Sequence, residues 1–393
     1  MSTRVHLEML IRYRLSKNPF SREAERSLAS FQQILVREAA DNVLDLAVSE
    51  ALLGEGALLV VVAGDRGAGR TLRLKVVREK FEGREGTGIY ISVRPDEREE
   101  FVFRMVEQSL DASRGLKQAI RRRILSLHLL RSKAVSELGT PTETAELILG
   151  SIKSNVPAFL LIDDFYNLFF ETKLWRTYVM EMLRHIVSSV PEGVLTAIAV
   201  SKEVLDEIRA EQPAFYSRIH EKVELAPLDL ERAMKLVAKR ISAFRLEDMG
   251  DPLYPFTEEF IGEALRLSNG NPEELLRLLN TGMLLAYKAG KHRVDAEVSE
   301  ALAEVFDVTD VTEKLPEEAK REARFILTNI LDREFHIVTV ARALEVPPSV
   351  EYGRLELLVD SGFLIKTGEN RYRLHPRYAE KIGKVTRAIL SIR

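Results

Sequence analysis

The stretch that decides the fold is 57–71, where ALLVVVA is followed directly by GDRGAGRT. An almost continuous apolar run such as Ala57–Ala63 is typical of a strand buried on both faces of a parallel sheet. Closely spaced glycines let backbone N–H groups fold around phosphate oxygens, and a helix beginning at the end of the loop adds a partial positive charge. The stretch therefore predicts a strand, a phosphate-binding loop and a helix, in that order.

Residues 64–71 match the phosphate-loop pattern G-x-x-x-x-G-K-[ST], with Arg70 at the position where lysine is usual. The candidate nucleotide-binding residues are Gly64, Gly67, Ala68, Gly69, Arg70 and Thr71. The Thr71 hydroxyl is also a candidate ligand of Mg²⁺. Because a guanidinium group is broader than an ammonium group and planar, we expect Arg70 to hold phosphate but to position it poorly for hydrolysis. A glycine-rich turn of purely structural role is the alternative interpretation.

Two carboxylates follow the apolar part of a second such run, FLLIDD, at Asp163 and Asp164. At the carboxyl end of a strand beside a phosphate loop, Asp163 is a candidate to hold Mg²⁺ through water. Asp164 is a candidate to polarise an attacking water, although it is one methylene shorter than the glutamate more usual there. A strand that ends in an acidic turn is the alternative.

The remaining apolar runs predict the rest of an α/β fold, and they lie at 88–93, 194–201 and 222–225. Helical periodicity separates the runs, which predicts a doubly wound parallel sheet of five strands. Amphipathic helices follow Pro227, with Asp229 and Thr257 as predicted N-caps.

A different pattern begins after a charged stretch at 309–320. Two helices, a Pro-Pro break, a third helix at 350–359 and a hairpin around 368–370 predict a winged helix-turn-helix. The predicted domains are a nucleotide-binding core at 1–226, a helical lid at 227–308 and a winged-helix domain at 309–393.

Together these segments resemble the AAA+ superfamily, and most closely the branch that contains the archaeal origin-recognition initiators of DNA replication. The likeness is carried by Asn18-Pro19-Phe20, Ser217-Arg218, Glu224-Leu225-Ala226-Pro227-Leu228 and Gly270-Asn271-Pro272. It implies an AAA+ core, a helical lid and a winged helix, with ATP or ADP and Mg²⁺ as ligands.

The resemblance also implies roles for single residues. Phe20 would lie near adenine, Ser201 would be the first sensor, and Arg218 would be an arginine finger acting on a neighbour's nucleotide in a homo- or hetero-oligomer. Core packing for Phe20, a plain strand end for Ser201 and an exposed arginine at a helix end for Arg218 are the alternatives.

Three positions depart from the family pattern. Glu273 follows Gly270-Asn271-Pro272, where the family usually has an arginine, and Arg277 one turn later is the candidate substitute. Arg70 and Asp164 are the other two departures. Because these positions normally drive hydrolysis, the chain is expected to be a weak ATPase at most.

Candidate nucleic-acid contacts lie in two regions. The stretch 112–136 contains arginines and lysines without an acidic residue, among them Lys117, Arg121 and Arg122. In the predicted winged helix, Arg354 lies on the helix expected to enter a major groove, whose residues Glu351, Tyr352, Arg354 and Glu356 are expected to be exposed. The hairpin carries Lys366, Arg371 and Arg373. A solvated basic face and a protein-binding winged helix are the alternatives.

The composition limits the possible functions. The chain has no cysteine, which excludes disulfides and thiolate metal sites, and a formal net charge of −3, so any DNA contact depends on local patches. We expect a cytoplasmic protein without a membrane segment. The leading hypothesis is an ATP-binding, initiator-like protein that binds duplex DNA. A regulatory or scaffold ATPase whose winged helix binds protein, and an active remodelling motor, are the alternatives.

Overall fold

The computed structural model describes residues 3–84, 86–95, 98–112, 139–153, 155–306, 309–330 and 333–378. A five-stranded sheet organises the N-terminal part. Its strands are β1 (Ala57–Ala63), β2 (Thr87–Ser92), β3 (Ala158–Asp163), β4 (Val194–Val200) and β5 (Glu221–Glu224). Their order is β2-β3-β4-β1-β5, and all neighbouring strands are parallel, as the sequence predicts. The carboxyl ends of β1 and β3 therefore lie at the same edge, on either side of β4.

The helices of this part include those that cover both faces of the sheet. They are α1 (Thr3–Arg12), α2 (Arg22–Arg26), α3 (Asp41–Leu52), α4 (Arg70–Glu82), α5 (Arg98–Ala112), α6 (Pro141–Ile152), α7 (Lys173–Ser189), α8 (Lys202–Glu211) and α9 (Pro213–Tyr216), with 3₁₀ turns at Phe31–Gln33 and Phe165–Phe170. Alternate residues of β1 face opposite layers: Leu59 and Val61 pack in the cluster that contains α5 to α9, and Val60 and Val62 in the cluster that contains α3 and α4. This two-sided burial explains the continuous apolar run.

A helical lid follows the sheet. It consists of α10 (Leu230–Ser242), α11 (Glu258–Leu267), α12 (Pro272–Lys288) and α13 (Ala296–Phe306). The predicted N-caps are confirmed, because the Asp229 side chain accepts from the N–H of Arg232 and Thr257 from that of Phe260. N-capping of this kind stabilises a helix by about 1 kcal/mol.

The N-terminal helix α1 belongs by packing to the lid. Met9, Tyr13 and Leu15 lie in the same hydrophobic cluster as the lid helices, although the predicted boundaries assign them to the core. The chain then crosses to the sheet near Glu38, and it returns to the lid near Ala226. The Glu38 carboxylate accepts a hydrogen bond from the N–H of Ala226 (3.4 Å). Arg232 of α10 also donates to Glu38 (3.0 Å). The domain boundaries themselves stay predictions.

The C-terminal domain has its own hydrophobic cluster and a small antiparallel sheet. Its elements are α14 (Thr309–Thr312), α15 (Lys320–Phe325), α16 (Ile337–Leu344), α17 (Pro348–Asp360), β6 (Phe335–His336), β7 (Leu364–Gly368) and β8 (Arg371–Leu374), with 3₁₀ turns at Glu317–Ala319 and Pro376–Tyr378 and a π-helical turn at Ile326–Ile330. The sheet order is β6-β8-β7, and the predicted hairpin is formed by β7 and β8. The order of these helices and of the hairpin agrees with the one expected for a winged helix-turn-helix. Within the described residues, no helix is both long and apolar enough to span a membrane.

Helix α17 carries a buried carboxylate. Glu351 is 0% exposed, and neither of its carboxylate oxygens has a hydrogen-bond partner among the described residues. Burial, and secondarily the nearby carboxylate of Glu322, raise the pKa of Glu351 to about 8. The expectation that Glu351 and Arg354 are exposed is wrong: Arg354 is half-buried, because this face of α17 packs against other parts of the protein.

Removing the charge of Glu351 should stabilise the protein and flatten its pH dependence. Between the ordinary pKa of 4.5 and about 8, the folded state holds a proton at Glu351 that the unfolded state has lost, so stability falls as the pH rises through this window. Glu351→Gln should raise the free energy of unfolding near pH 8 by about 1–3 kcal/mol. Urea unfolding near pH 5 and near pH 8 measures this, with exposed Glu369→Gln as control. If the free energy of unfolding changes equally between these two pH values in wild type and in Glu351→Gln, the prediction is contradicted.

Candidate functional site

The loop after β1 has a backbone that favours glycine. Gly67 and Gly69 have φ angles of 79° and 94°, in the left-handed region that residues with a Cβ adopt at a cost. Gly69 is the N-cap of α4, so the loop passes directly into the helix N-terminus. Backbone N–H groups at such a terminus are suited to binding an anion.

This loop borders a large cavity between the sheet domain, the lid and the C-terminal domain. The cavity has a volume of about 1150 Å³ and is lined by residues 65–71 of the loop and helix. Its basic lining residues include Arg66, Arg70, Lys75, Arg240, Arg277, Lys320, Arg321 and Arg324. Acidic residues also line the cavity, among them Asp65, Asp164, Glu273 and Glu345, so its charge is mixed. Its size is sufficient for a nucleotide-sized anion beside the loop.

Thr71 and Asp163 are brought together, as the sequence predicts. The Thr71 hydroxyl donates to Asp163 Oδ1 (3.1 Å), and the Tyr90 hydroxyl donates to Asp163 Oδ2 (2.7 Å). Both carboxylate oxygens of buried Asp163 therefore accept a hydrogen bond, which fixes the orientation of its side chain. Oxygen ligands of this kind fit Mg²⁺, which is bound in proteins by one or two carboxylates together with substrate phosphates and water. Tyr90 was not predicted as a site residue, because no local motif includes it.

Asp164 lies one residue further on and lines the cavity. Its backbone is left-handed (φ 52°), and its carboxylate accepts from the Ser92 hydroxyl (2.6 Å). Burial and the charge of Asp163 raise the pKa of Asp164, although the hydrogen bond from Ser92 and the charge of Arg70 oppose the shift. A carboxyl group in this setting holds a proton more readily than an ordinary aspartate.

Arg70 is buried and pairs with a residue that was not predicted to belong to the site. It is 8% exposed, and its guanidinium forms an ion pair with the carboxylate of Glu345, in the turn between α16 and α17. Its second terminal nitrogen, Nη1, has no hydrogen-bond partner within the described residues. No local pattern around Glu345 could have indicated this partner.

The lid reaches the loop through the N-terminus of α12. Asn271 caps this helix, and its amide Nδ2 donates to the carbonyl of Arg66 (2.6 Å). Glu273 of the lid lies close to the phosphate loop, because a Cβ at Gly67 would be only 2.7 Å from the Cβ of Glu273. A carboxylate therefore lies beside the loop at the position where the resemblance implies an arginine. Arg277 lines the cavity, pairs with Glu274 and lies over the Phe306 ring.

Of the other residues implied by the resemblance, Phe20 lines the cavity, and Ser201 and Arg218 do not. Phe20 lines the cavity and packs edge-on against Phe256 (5.5 Å between ring centroids). Ser201 is buried; it caps α8 and donates to the carbonyl of Glu345 (2.7 Å). Arg218 is exposed and is not among the described residues that line the cavity.

The candidate nucleic-acid residues lie in three settings. Lys117, Arg121 and Arg122 lie outside the described residues. Arg354 donates to Glu322 (2.8 Å) and to Glu203 of the sheet domain (3.2 Å), so it does not face solvent as predicted. The hairpin residues Lys366, Arg371 and Arg373 are exposed; Lys366 pairs with Glu356, and Arg371 with Glu334.

Comparison with known proteins supports the fold. No family model matches the chain. The Aeropyrum pernix ORC2 protein, solved as ADPNP and ADP complexes, has a TM-score of 0.51 and 14% identity over 94% of this chain and 99% of its own. The Aeropyrum pernix ORC1 protein in complex with DNA has a TM-score of 0.51 and 16% identity over 91% of this chain and 96% of its own. At this level of identity the likeness concerns the fold alone.

One curated protein is similar over a shorter stretch. An uncharacterized HTH-type transcriptional regulator of Methanocaldococcus jannaschii is 25% identical over 107 residues, which are 27% of this chain and 26% of that protein. The chain thus spans about a quarter of its curated relative. The strand order and the likeness of fold together show a parallel five-stranded α/β core, which is followed by a helical unit and by a C-terminal domain with a small antiparallel sheet.

Gly67→Ala should weaken the contact between the phosphate loop and the lid. A Cβ at this position would lie 2.6 Å from Asn271 Oδ1, in addition to the strain of a positive φ. Gly54→Ala is the matched control, because Gly54 has a φ of 78° but a Cβ there would meet nothing within 4 Å. We expect Gly67→Ala to lower the free energy of unfolding by about 1–3 kcal/mol more than the control does, as measured by urea unfolding. Equal losses would contradict the close approach of the lid.

Proposed function

We propose that the chain is a nucleotide-binding AAA+ protein of initiator type, which binds ATP or ADP with Mg²⁺ and also binds duplex DNA. The observation that carries the nucleotide proposal is the geometry around the phosphate loop. Gly67 and Gly69 give the loop φ angles that favour glycine, and α4 begins directly after the loop. The Thr71 hydroxyl lies 3.1 Å from Asp163 Oδ1. The domain boundaries at 226/227 and 308/309 are part of this proposal.

Each residue of the loop has a proposed task. Backbone N–H groups of the loop hold phosphate oxygens, together with the N-terminus of α4. Thr71 and Asp163 hold Mg²⁺, which neutralises phosphate charge when it is bound. Arg70 supplies a cation to a terminal phosphate, and the unpartnered Arg70 Nη1 supports this task, because a buried donor without a partner is costly. Phe20 and Arg277 complete the lining on the lid side.

Hydrolysis is proposed to be slow or absent. The Asp164 carboxyl already accepts from Ser92 and has a raised pKa, which makes it a weaker group for polarising an attacking water. Glu273 adds a negative charge beside the loop, where an arginine would stabilise the transition state. Ser201 is occupied as a helix cap and as a donor to Glu345.

Replacing Arg70 should weaken nucleotide binding. Because the guanidinium would make a charge-assisted hydrogen bond to phosphate, Arg70→Ala is expected to raise the Kd of a fluorescent ATP analogue with Mg²⁺ about tenfold to a hundredfold. Arg78→Ala is the control, since Arg78 is on the same helix but pairs with Glu82 at the surface. Fluorescence titration measures both. Equal affinities for the two variants would refute the proposed role of Arg70, and no binding by the wild type would refute the nucleotide site.

DNA binding is proposed to use the basic segment around Lys117, Arg121 and Arg122 together with the hairpin. Exposed Lys366, Arg371 and Arg373 on β7 and β8 support this proposal, because hairpin cations of a winged helix can reach the phosphate backbone. The solved relative in complex with DNA has the same fold. The exposed Arg218 is compatible with an arginine finger in an oligomer.

Removing the hairpin cations should weaken duplex binding and its salt dependence. The triple variant Lys366/Arg371/Arg373→Ala is expected to lose about tenfold or more in affinity near 0.1 M salt, and the slope of log K against log salt should fall by about 2–3. Arg14/Lys235/Arg293→Ala on the lid side removes three exposed, ion-paired cations as a control. Lys117/Arg121/Arg122→Ala tests the basic segment in the same titration.

The outcome separates the two classes of function. Salt-dependent binding that only the hairpin and basic-segment variants weaken would support a DNA-binding protein. No duplex binding by the wild type at low salt would refute it and would leave a regulatory or scaffold protein whose C-terminal domain binds protein.

A further inference from the structure

The turn between α16 and α17 reaches into the phosphate loop. Glu345 is the C-cap of α16, with a left-handed φ of 60°, and it is 8% exposed. This conformation places its carboxylate against the guanidinium of Arg70, the residue at the lysine position of the loop. A carboxylate offers a guanidinium two negatively charged oxygens, as phosphate does.

The backbone at the end of α16 and at the start of the same turn is also held by side chains. The carbonyls of Ala343, Leu344 and Glu345 accept from Arg66, Arg321 and Ser201 respectively. Arg66 belongs to the phosphate loop, and Ser201 follows β4. Three consecutive carbonyls therefore have partners, two of them from the sheet domain, which makes the turn a docked element.

A second set of ion pairs joins α17 to the sheet domain. Glu203 of α8 accepts from Arg354 of α17 (3.2 Å) and from Arg321 of α15 (3.1 Å). Arg354 also pairs with Glu322, which is fully buried (2.8 Å). The helix predicted to enter the DNA groove is thus tied to the core by the arginine expected to face the DNA.

A phosphate group and Glu345 cannot both be accommodated cheaply at Arg70. The surroundings already contain the carboxylates of Asp163, Asp164 and Glu273. Another negative charge beside Glu345 would meet strong repulsion in a buried, poorly screened position. Withdrawal of Glu345 removes that repulsion and leaves the Arg70 guanidinium to the phosphate.

We propose that the Glu345 carboxylate stands in for a nucleotide phosphate at Arg70, so that nucleotide binding and docking of the C-terminal domain exclude each other. Nucleotide that enters the site displaces the turn, and α17 with Arg354 leaves the core. The inference rests on the proposed nucleotide binding and adds its regulation by the C-terminal domain.

The test is nucleotide affinity in the full-length chain. Glu345→Gln keeps the shape of the side chain and removes its charge. We expect this variant to bind a fluorescent ATP analogue with Mg²⁺ about tenfold more tightly, because the apparent Kd equals the intrinsic Kd divided by the fraction of molecules whose site is open. Glu313→Gln, an exposed site in the same domain, should leave the Kd unchanged. In an Arg70→Ala background, Glu345→Gln should have no such effect.

A second variant keeps the test decisive if Glu345→Gln folds poorly. Glu203→Gln weakens the pairs with Arg354 and Arg321 without touching the phosphate loop and leaves the pair between Arg354 and buried Glu322 in place, so it should also lower the Kd. The absence of cysteine allows spin labels at Asp206→Cys on α8 and Glu369→Cys in the hairpin. The distance between the two labels should increase with ATP and Mg²⁺, and also in Glu345→Gln without nucleotide.

The results distinguish failure of the regulation from failure of the function. If wild type and Glu345→Gln bind the ATP analogue with the same Kd, or if Glu345→Gln binds it more weakly, the competition is overturned and nucleotide binding is not. A label distance that nucleotide does not change would overturn the release of the C-terminal domain. No binding by any variant would overturn nucleotide binding and the competition with it.

Discussion

Burial of β1 on both faces fixes the position of the phosphate loop. Val60 and Val62 pack against α3 and α4, while Leu59 and Val61 pack against the opposite layer, so the strand cannot shift by one residue without exchanging its two faces. Its register with β4 pairs Ala63 with Val200. The loop and the end of β4 therefore leave the sheet side by side. The position of Arg70 relative to Ser201 follows from that register, and the position of Thr71 relative to Asp163 follows from it together with the pairing of β3 with β4.

Charge balance is the second constraint on this site. The cavity is lined by many arginines and lysines, yet carboxylates from three parts of the chain also approach the loop: Asp164 from the sheet, Glu273 from the lid and Glu345 from the C-terminal domain. Breaking a buried ion pair by removing one partner costs about 3–5 kcal/mol, because it leaves a charge without compensation. A cation-rich cavity of this kind requires anions, and in the described arrangement the protein supplies them itself.

The sequence was informative where chemistry depends on neighbours along the chain. The loop 64–71, the acidic end of β3 and the caps at Asp229 and Thr257 are local patterns, and the structure contains each of them. It was uninformative where partners come from distant segments. Tyr90 at Asp163 and Glu345 at Arg70 depend on how whole layers pack, and no spacing rule encodes them.

The helix α17 shows a related limit of sequence reasoning. Glu351 and Arg354 were expected to be exposed because charged residues usually are. Their side of the helix instead packs against α15 and Glu203. The sequence does not predict the two-residue strand β6 either, because a strand of that length has no periodicity.

The sharing of a hydrophobic cluster between α1 and the lid has a mechanical consequence. The polypeptide connects lid and sheet twice, once near Glu38 and once near Ala226, and the side chain of Glu38 bonds to the backbone of the second connection. The two connections therefore lie side by side and act as one hinge. Once the contact of Asn271 with the phosphate loop opens, rotation about this hinge would move the lid and α1 as one body, whereas sliding or twisting over the sheet would strain both connections together.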